Sequence, residues 1–452
     1  MNSLCLLDHL FCCGERMRCV LQLVMVGVVG EALRQVVAKP RLTRVVKEAT
    51  SVEEVLEAMG RVGEDDDGDV RRLALSSAFQ KLAQRCVGSG AVDLRRKVVD
   101  DARFAKGLEL LEEESFSERR LETLRFAAVL TTQEPCVALE ATLRVLERCH
   151  TQRPSEITTA RWIGERCGLF LTSEKEDLLE ELRKKEEALK LPFSVMPGLL
   201  RDLEDMSVES LALSLPFGSD FVVTKSGQKV QERRLTAWVT QPDVGAIAYS
   251  GKMMPPISPL PMPVKSVSDL LFEKLPPGSP RYDCALLNLY PDGGAACRYH
   301  SDPEHGTYWH RNQAVVSFGE PRRFAFRLSD KPTDDLNRHV FHLFHGDVVH
   351  MTSQCQDIYQ HAVFQAEDPT NAGPRISYVL KHALLQTNGK KGHGTSRKKK
   401  ASSASLEGNS SKPPPAARKR RRRKTTAPVL EKKRPGTSVA AAANKKRGST
   451  KS

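Results

Sequence analysis

Between about residue 50 and residue 190 the apolar positions recur at helical spacing. Leu75, Ala78, Phe79 and Leu82 fall on one face, as do Leu139, Leu143 and Leu146, each set in a charged background. The spacing predicts consecutive amphipathic helices, separated by breakers at Gly63-Glu-Asp-Asp-Asp-Gly68, Gly88-Ser-Gly90 and Gln152-Arg-Pro154. No strict repeat emerges, so both a plain helical domain and an array of helical pairs fit the pattern. Glu174 to Lys190 is so rich in Glu, Lys and Leu that it reads as a solvated helix or connecting rod.

After Pro192 the texture changes to short apolar runs broken by Gly and Pro, which marks a domain boundary. Phe221 to Val230 has hairpin character around Ser226-Gly227, and the proline-dense Pro255 to Pro263 predicts an extended surface path. Val264 to Leu275 predicts a helix. Strands then dominate, at about 285–290, 313–318, 323–328, 339–343, 347–351, 358–364 and 375–383.

The chain has 452 residues with 40% hydrophobic content, enough for two or three domains with buried cores. We divide it into an N-terminal segment 1–45, a helical domain 46–191, a strand-rich domain 192–387 and a basic tail 388–452. The eleven cysteines show no paired C-x-x-C spacing, which suits free thiols in a reducing compartment. The apolar run Val20 to Val29 is too short to span a membrane, so no membrane partner is expected. Arg16, Arg18, Arg34, Lys39, Arg41 and Arg44 keep an organelle presequence open as an alternative to an ordinary buried helix. The tail is low in aromatics and carries Arg397 to Lys400, Arg418 to Lys424 and Lys432 to Arg434, so it predicts disorder. Its charge suits nuclear import or contact with phosphates. The nucleus is therefore the expected location, with a mitochondrion or other organelle as the alternative.

The chemistry concentrates between Asn288 and Lys381. Two positions apart, His300 and Asp302 can offer an imidazole and a carboxylate to one metal. A second imidazole from a distant strand would complete a two-histidine, one-carboxylate face, which suits ferrous iron with open positions for a cosubstrate and oxygen. Upstream, Asn288 and Tyr290 share a strand face where an amide and a phenol can bind an anion. Downstream, Arg375 and Lys381 share another, and the arginine fork matches a terminal carboxylate. This order is coherent for Fe(II) plus 2-oxoglutarate. His339, His342, His345, His350 and His361 compete for the distal ligand position.

Leu287-Asn-Leu-Tyr290, His300-Ser-Asp302, Ala314 to Gly319, Phe324 to Arg327, Gly346 to Val349, Gln360-His361 and Arg375-Ile-Ser377 together resemble the AlkB family of Fe(II)- and 2-oxoglutarate-dependent dioxygenases. The resemblance covers residues from about 200 to 385. It implies an α+β domain with a double-stranded β-helix (jelly-roll) core, placed after the α-helical N-terminal domain and before the disordered tail. It makes His361 the second iron histidine and Asn288, Tyr290, Arg375 and Ser377 contacts of 2-oxoglutarate. Lys381 stands where many relatives have a second arginine. The implied reaction consumes molecular oxygen and 2-oxoglutarate and oxidatively demethylates N-alkylated bases of DNA or RNA. A protein hydroxylase or demethylase using the same site is the alternative.

Arg234 to Gly251 resembles the family's nucleotide-recognition region. There Trp238 and Tyr249 are candidates for stacking on an extruded base, with core packing as their ordinary role. Glu304 is a candidate for the amino edge of that base, and the aromatic loop His305 to His310 for the substrate channel. The helical domain is a possible docking element for a protein or RNA partner.

Overall fold

The helix-period stretches fold as helices because each closes an apolar face. After a helix over residues 42–48 (α1) come α2 (Val52–Gly60), α3 (Gly68–Cys86), α4 (Val92–Val99), α5 (Ala102–Leu111), α6 (Arg120–Thr131), α7 (Ala138–Glu147), α8 (Pro154–Gly168) and α9 (Glu176–Ala188). Of these, α2, α3 and α5 also cap their own starts with a side chain. The computed structural model describes residues 42–384 apart from 64–66, 114–118, 171–175, 224–225 and 250–251. The expectations for most of the N-terminal segment and for the basic tail therefore lie outside the described residues.

At the start of α2 the Ser51 hydroxyl accepts the Glu54 N–H at 3.1 Å while Glu54 accepts the Ser51 N–H at 3.3 Å, a reciprocal cap that satisfies two otherwise orphaned donors. Leu75, Ala78, Phe79 and Leu82 of α3 are fully buried, as the periodicity requires. α9 does not stand free as a rod. Leu179 and Leu182 are buried against α8, where a Cβ on Gly164 would come within 2.7 Å of Leu179, while the opposite face keeps i,i+4 pairs such as Lys185–Glu181 at 2.6 Å.

The strands β1 (Phe193–Met196), β4 (Leu235–Thr240), β7 (Cys284–Tyr290), β9 (Gln313–Gly319), β12 (Val348–Met351) and β14 (Arg375–Lys381) form one antiparallel sheet in the order β1-β12-β9-β14-β7-β4. β8 (Cys297–His300), β10 (Arg322–Leu328), β11 (His339–Leu343) and β13 (Tyr359–Val363) form a smaller one in the order β11-β10-β13-β8. Two hairpins, β2 (Phe221–Val223) with β3 (Lys229–Gln231) and β5 (Ile247–Tyr249) with β6 (Lys252–Met254), complete the strands. Helices α10 (Val208–Ser214), α11 (Met262–Lys274) and α12 (Cys355–Ile358) lie among them.

Strand parity decides what faces where. On β14, Ile376, Tyr378 and Leu380 join Val264, Val267 and Leu271 of α11 in one apolar cluster that covers the outer face of the large sheet. Arg375, Ser377 and Lys381 alternate to the inner face. The inner face continues into a second cluster, in which Val315, Val349 and Met351 of the large sheet meet Phe324, Phe326 and Tyr359 of the small one.

The helical layer packs on the small sheet in the same compact unit. Buried polar contacts tie the helices to the strands: Thr158 meets His339 Nδ1 at 2.9 Å, Arg125 on α6 lies 3.4 Å from His342 Nδ1, and Arg166 on α8 meets Asp347, in the turn before β12, at 3.0 Å. Asp347 follows Gly346, whose φ of +77° and closeness to the Arg201 backbone (2.5 Å for an added Cβ) admit only glycine.

Candidate metal centre

His361 lies in the middle of β13 and pairs across the ladder with His300 at the end of β8, with Phe326 on its other side. Antiparallel pairing sets the two imidazoles side by side, their centroids 4.3 Å apart and their planes tilted by 52°. Asp302 lies just beyond the end of β8, so strand alternation is not what aligns it with His300. The Gln356 side-chain carbonyl accepts the Asp302 N–H at 2.9 Å, and the Ser301 hydroxyl donates to the Tyr359 carbonyl at 2.9 Å. The ligand atoms of His300, Asp302 and His361 all lie within 4.8 Å of one another, and among the described residues they form the one such cluster.

Asp302 and His361 are held in states fit for a cation, whereas His300, whose charge burial opposes but whose hydrogen bonds to Asp302 and Cys297 raise it to about 11, would yield its proton to a bound metal. His300 Nδ1 sits 2.8 Å from the Arg298 carbonyl, which favours the proton on that nitrogen and leaves Nε2 toward Asp302. Burial opposes charge on Asp302, yet Lys381, His300 and His361 beside it hold the carboxyl well below its usual range. Its Oδ2 accepts from Lys381 Nζ at 2.9 Å and Gln313 Nε2 at 3.0 Å. Oδ1 is left facing His300 Nε2 at 3.5 Å. Burial, with His300 adjacent, pushes His361 down to about 3, so its imidazole is neutral. Two neutral-capable imidazoles and one ionised carboxylate oxygen make a donor set that suits ferrous iron.

The inner face of the large sheet supplies the anion pocket. β14 pairs with β7 so that Arg375 is opposite Tyr290 and Ser377 opposite Asn288, and with β9 so that Ser377 is opposite Ser317. All five residues are buried. Arg375 Nε donates to Ser317 Oγ at 3.0 Å, and its guanidinium carbon lies 5.0 Å from the Tyr290 ring. Its two terminal nitrogens, Nη1 and Nη2, are fully buried without a well-formed hydrogen bond among the described residues. A buried fork with little beyond Tyr290 to meet its prongs is costly unless a carboxylate joins it, so the pocket fits the far end of 2-oxoglutarate.

Lys381 is on the same face but does not join that pocket. Its ammonium is fully engaged by Asp302, by Gln313 Oε1 at 2.6 Å and by His305 Nε2 at 3.2 Å. Its contacts in the structure are with Asp302, Gln313 and His305. We correct the expectation for Trp238. It is fully buried, edge-on to Trp309 at 5.4 Å, with Nε1 donating to the Gly245 carbonyl at 2.9 Å, and offers no face to a base. Tyr249 is half-buried and its hydroxyl accepts from Arg234 at 2.6 Å. Glu304 is exposed; its backbone, at φ +67°, closes the loop by accepting the Thr307, Tyr308 and Trp309 N–H groups.

The competing histidines go elsewhere for reasons of parity and place. His350 shares the outer face of β12 with Val348, turned away from the cluster. His339 and His342 are on β11 under the helical layer, and His345 Nδ1 accepts the Gly319 N–H at 3.3 Å.

Sequence reading assigned no role of their own to Gln313, Ser317 or Gln356, and did not foresee the bond of His305 to Lys381 or the site contacts of Arg234. The last bonds Asn288 Oδ1 at 3.3 Å and pairs with Glu232 at 2.6 Å. A signal existed for two of them: Gln313 and Ser317 are the polar, same-parity positions of the otherwise apolar run Gln313 to Gly319.

Residues 194–399 match the model of the 2OG-Fe(II) oxygenase superfamily. The chain belongs to that superfamily. It is an oxidoreductase, a dioxygenase that uses Fe(II), 2-oxoglutarate and molecular oxygen. It is also 33% identical over 162 residues to "Uncharacterized protein R406" of Acanthamoeba polyphaga mimivirus, a match spanning 35% of this chain and 78% of that protein. A solved structure entitled "The structure of OsALKBH1" aligns over 42% of this chain and 97% of its own, at 14% identity and a TM-score of 0.27. No described helix of this 2OG-Fe(II) oxygenase is long and apolar enough to cross a membrane.

Proposed function

We propose that the chain is an oxidative nucleic-acid demethylase of the AlkB type, acting on N-alkylated bases of DNA or RNA, and that its two packed sheets are a double-stranded β-helix. His300, Asp302 and His361 would hold the iron; Arg375, Asn288, Tyr290 and Ser377 would hold 2-oxoglutarate. The observation that carries the reading is the pairing of the metal cluster, borne by the small sheet, with the buried Arg375 fork on the inner face of the large one. Bound iron supplies oxygen activation, coupled to conversion of 2-oxoglutarate to succinate and carbon dioxide. The chain's own residues do the positioning. Arg375 would fix the distal carboxylate, Gln313 and Lys381 hold Asp302, and the β5–β6 hairpin, tied through Tyr249 and Arg234 to Asn288, would cover the mouth. Hydroxylation of an N-methyl carbon gives a hemiaminal that releases formaldehyde and the unmodified base. The resemblance of Arg234 to Gly251 to a nucleotide-recognition region and the basic runs of the tail support a polyanionic substrate and a nuclear location.

The test is to incubate the iron-loaded chain with 2-oxoglutarate, oxygen and a panel of N-methylated DNA, N-methylated RNA and methylated peptides. Succinate formed in step with loss of a base methyl group is the expected result. Succinate coupled only to a peptide would replace the reading with a protein hydroxylase or demethylase, the alternative favoured by the burial of Trp238.

A further inference from the structure

A cavity of about 510 Å³ opens between α6, α8 and the β11 side of the small sheet, and none of its lining residues belongs to the metal cluster. Six arginines line it, Arg119, Arg120, Arg125, Arg148, Arg153 and Arg338, against three carboxylates. Two of those carboxylates are engaged: Asp335 pairs with Arg338 at 2.6 Å, and Glu156 accepts the Gln152 and Arg153 N–H groups at 3.2 and 3.1 Å. Arg119, Arg120 and Arg125 make no ion pair among the described residues. Arg120 and Arg125 are buried. The Arg120 guanidinium donates to the Arg148 and Glu113 carbonyls, and its Nε has no partner among the described residues.

The local sequence is frustrated in a way that one ligand class would relieve. Both α6 and α8 begin at this cavity, and their N-cap residues are Arg119 and Arg153. A helix N-terminus carries partial positive charge and unsatisfied N–H donors, so it prefers an acceptor or an anion. Arginine has no acceptor with which to cap and adds charge of the same sign. Arg119 is moreover held at φ +63°, a conformation L-residues rarely take. Glu122 and Glu156 lie in the first turns and Glu156 accepts the Arg153 N–H, yet both starts open on a cavity lined by six arginines against three carboxylates, a positive balance that suits an anion.

We propose that this cavity binds a small phosphorylated molecule of about mononucleotide size, its phosphate groups received by the arginines and the two helix N-termini. The volume lies within the roughly 300–1,000 Å³ of small-molecule sites. With Arg125 also reaching His342 of β11, occupancy ties the helical layer to the small sheet. The inference does not rest on the reading of the metal centre.

The test is calorimetric titration of the full chain with adenosine diphosphate and inorganic pyrophosphate, using sulfate at matched ionic strength as control. Both probes are expected to bind at one site and raise Tm more than sulfate does. In Arg153→Gln/Arg338→Gln and in Arg119→Gly affinity falls about tenfold or more, because charged hydrogen bonds are lost. Glycine tolerates the Arg119 backbone, so that variant is expected to match or exceed the Tm of the unaltered chain without ligand while binding less. 2-Oxoglutarate turnover stays unchanged in all of them. No binding beyond sulfate, or equal binding by the folded variants, overturns the proposal. So does arginine-dependent binding of a short single-stranded oligonucleotide with no binding of adenosine diphosphate, which would make the cavity part of a nucleic-acid track.

Discussion

Lys381 donates to Asp302 Oδ2 at 2.9 Å, so the last cation of the strand-borne motif is bound to the carboxylate of the metal cluster. That bond leaves Oδ1 as the free donor. Lys381→Met keeps the bulk and removes the hold, and metal affinity is expected to fall about 10- to 100-fold, as when other outer-shell partners are lost. Titration with Mn(II) measures it. Unchanged affinity would mean that Gln313 alone orients the carboxylate.

His361→Ala is expected to abolish stoichiometric iron binding, whereas His350→Ala retains it, since β12 turns His350 to the outer face. Iron content after anaerobic loading distinguishes them. Iron retained by the His361 variant refutes the assignment.

Arg375→Met is expected to raise KM for 2-oxoglutarate on the order of 10- to 100-fold, with metal affinity unaltered. Arg375→Lys recovers only part of this, because the fork is lost. A fall in metal affinity with unchanged KM would contradict the pocket.

Asp347 is fully buried and accepts from Arg166, the Gly198 N–H and the Phe344 N–H. Asp347→Ala strands a buried guanidinium, at a cost of about 3–5 kcal/mol. Urea unfolding measures it, and adding Arg166→Met should restore part of the loss; a neutral Asp347→Ala would show that water reaches the pair.

Burial pushes His339 and His350 down to about 4. In the unfolded chain both titrate near 6.5, so between about 6.5 and 4 the unfolded state binds more protons. Stability should therefore fall as pH drops through that window, by roughly 1 kcal/mol per pH unit for each histidine. Urea unfolding at pH 7 and pH 5 tests this, and His339→Asn should flatten the slope. Identical slopes in the two proteins would contradict it.

Much of the site was legible because strand parity is local. That Asn288 shares a face with Tyr290, and Arg375 with Lys381, follows from period two, Ser377 came from the family resemblance, and the structure brings Asn288, Tyr290, Arg375 and Ser377 together across β7 and β14. Parity could also have drawn out Gln313 and Ser317. It could not show that α9 packs on α8, since its Leu spacing fits a lone helix as well. Nor could it separate Trp238 as a core residue from a stacking one, for both require an aromatic.

By itself the sequence determined the period of each element, the residue types of a two-histidine, one-carboxylate cluster and the arginine suited to an anion. Those depend on neighbours within a few positions. Only the tertiary structure decided that Lys381 serves Asp302, that His350 faces outward while His361 faces His300, and that two arginine-capped helices open on one cavity. Each of these is a distance between segments far apart in the chain, set by sheet register and helix packing, which no local pattern encodes.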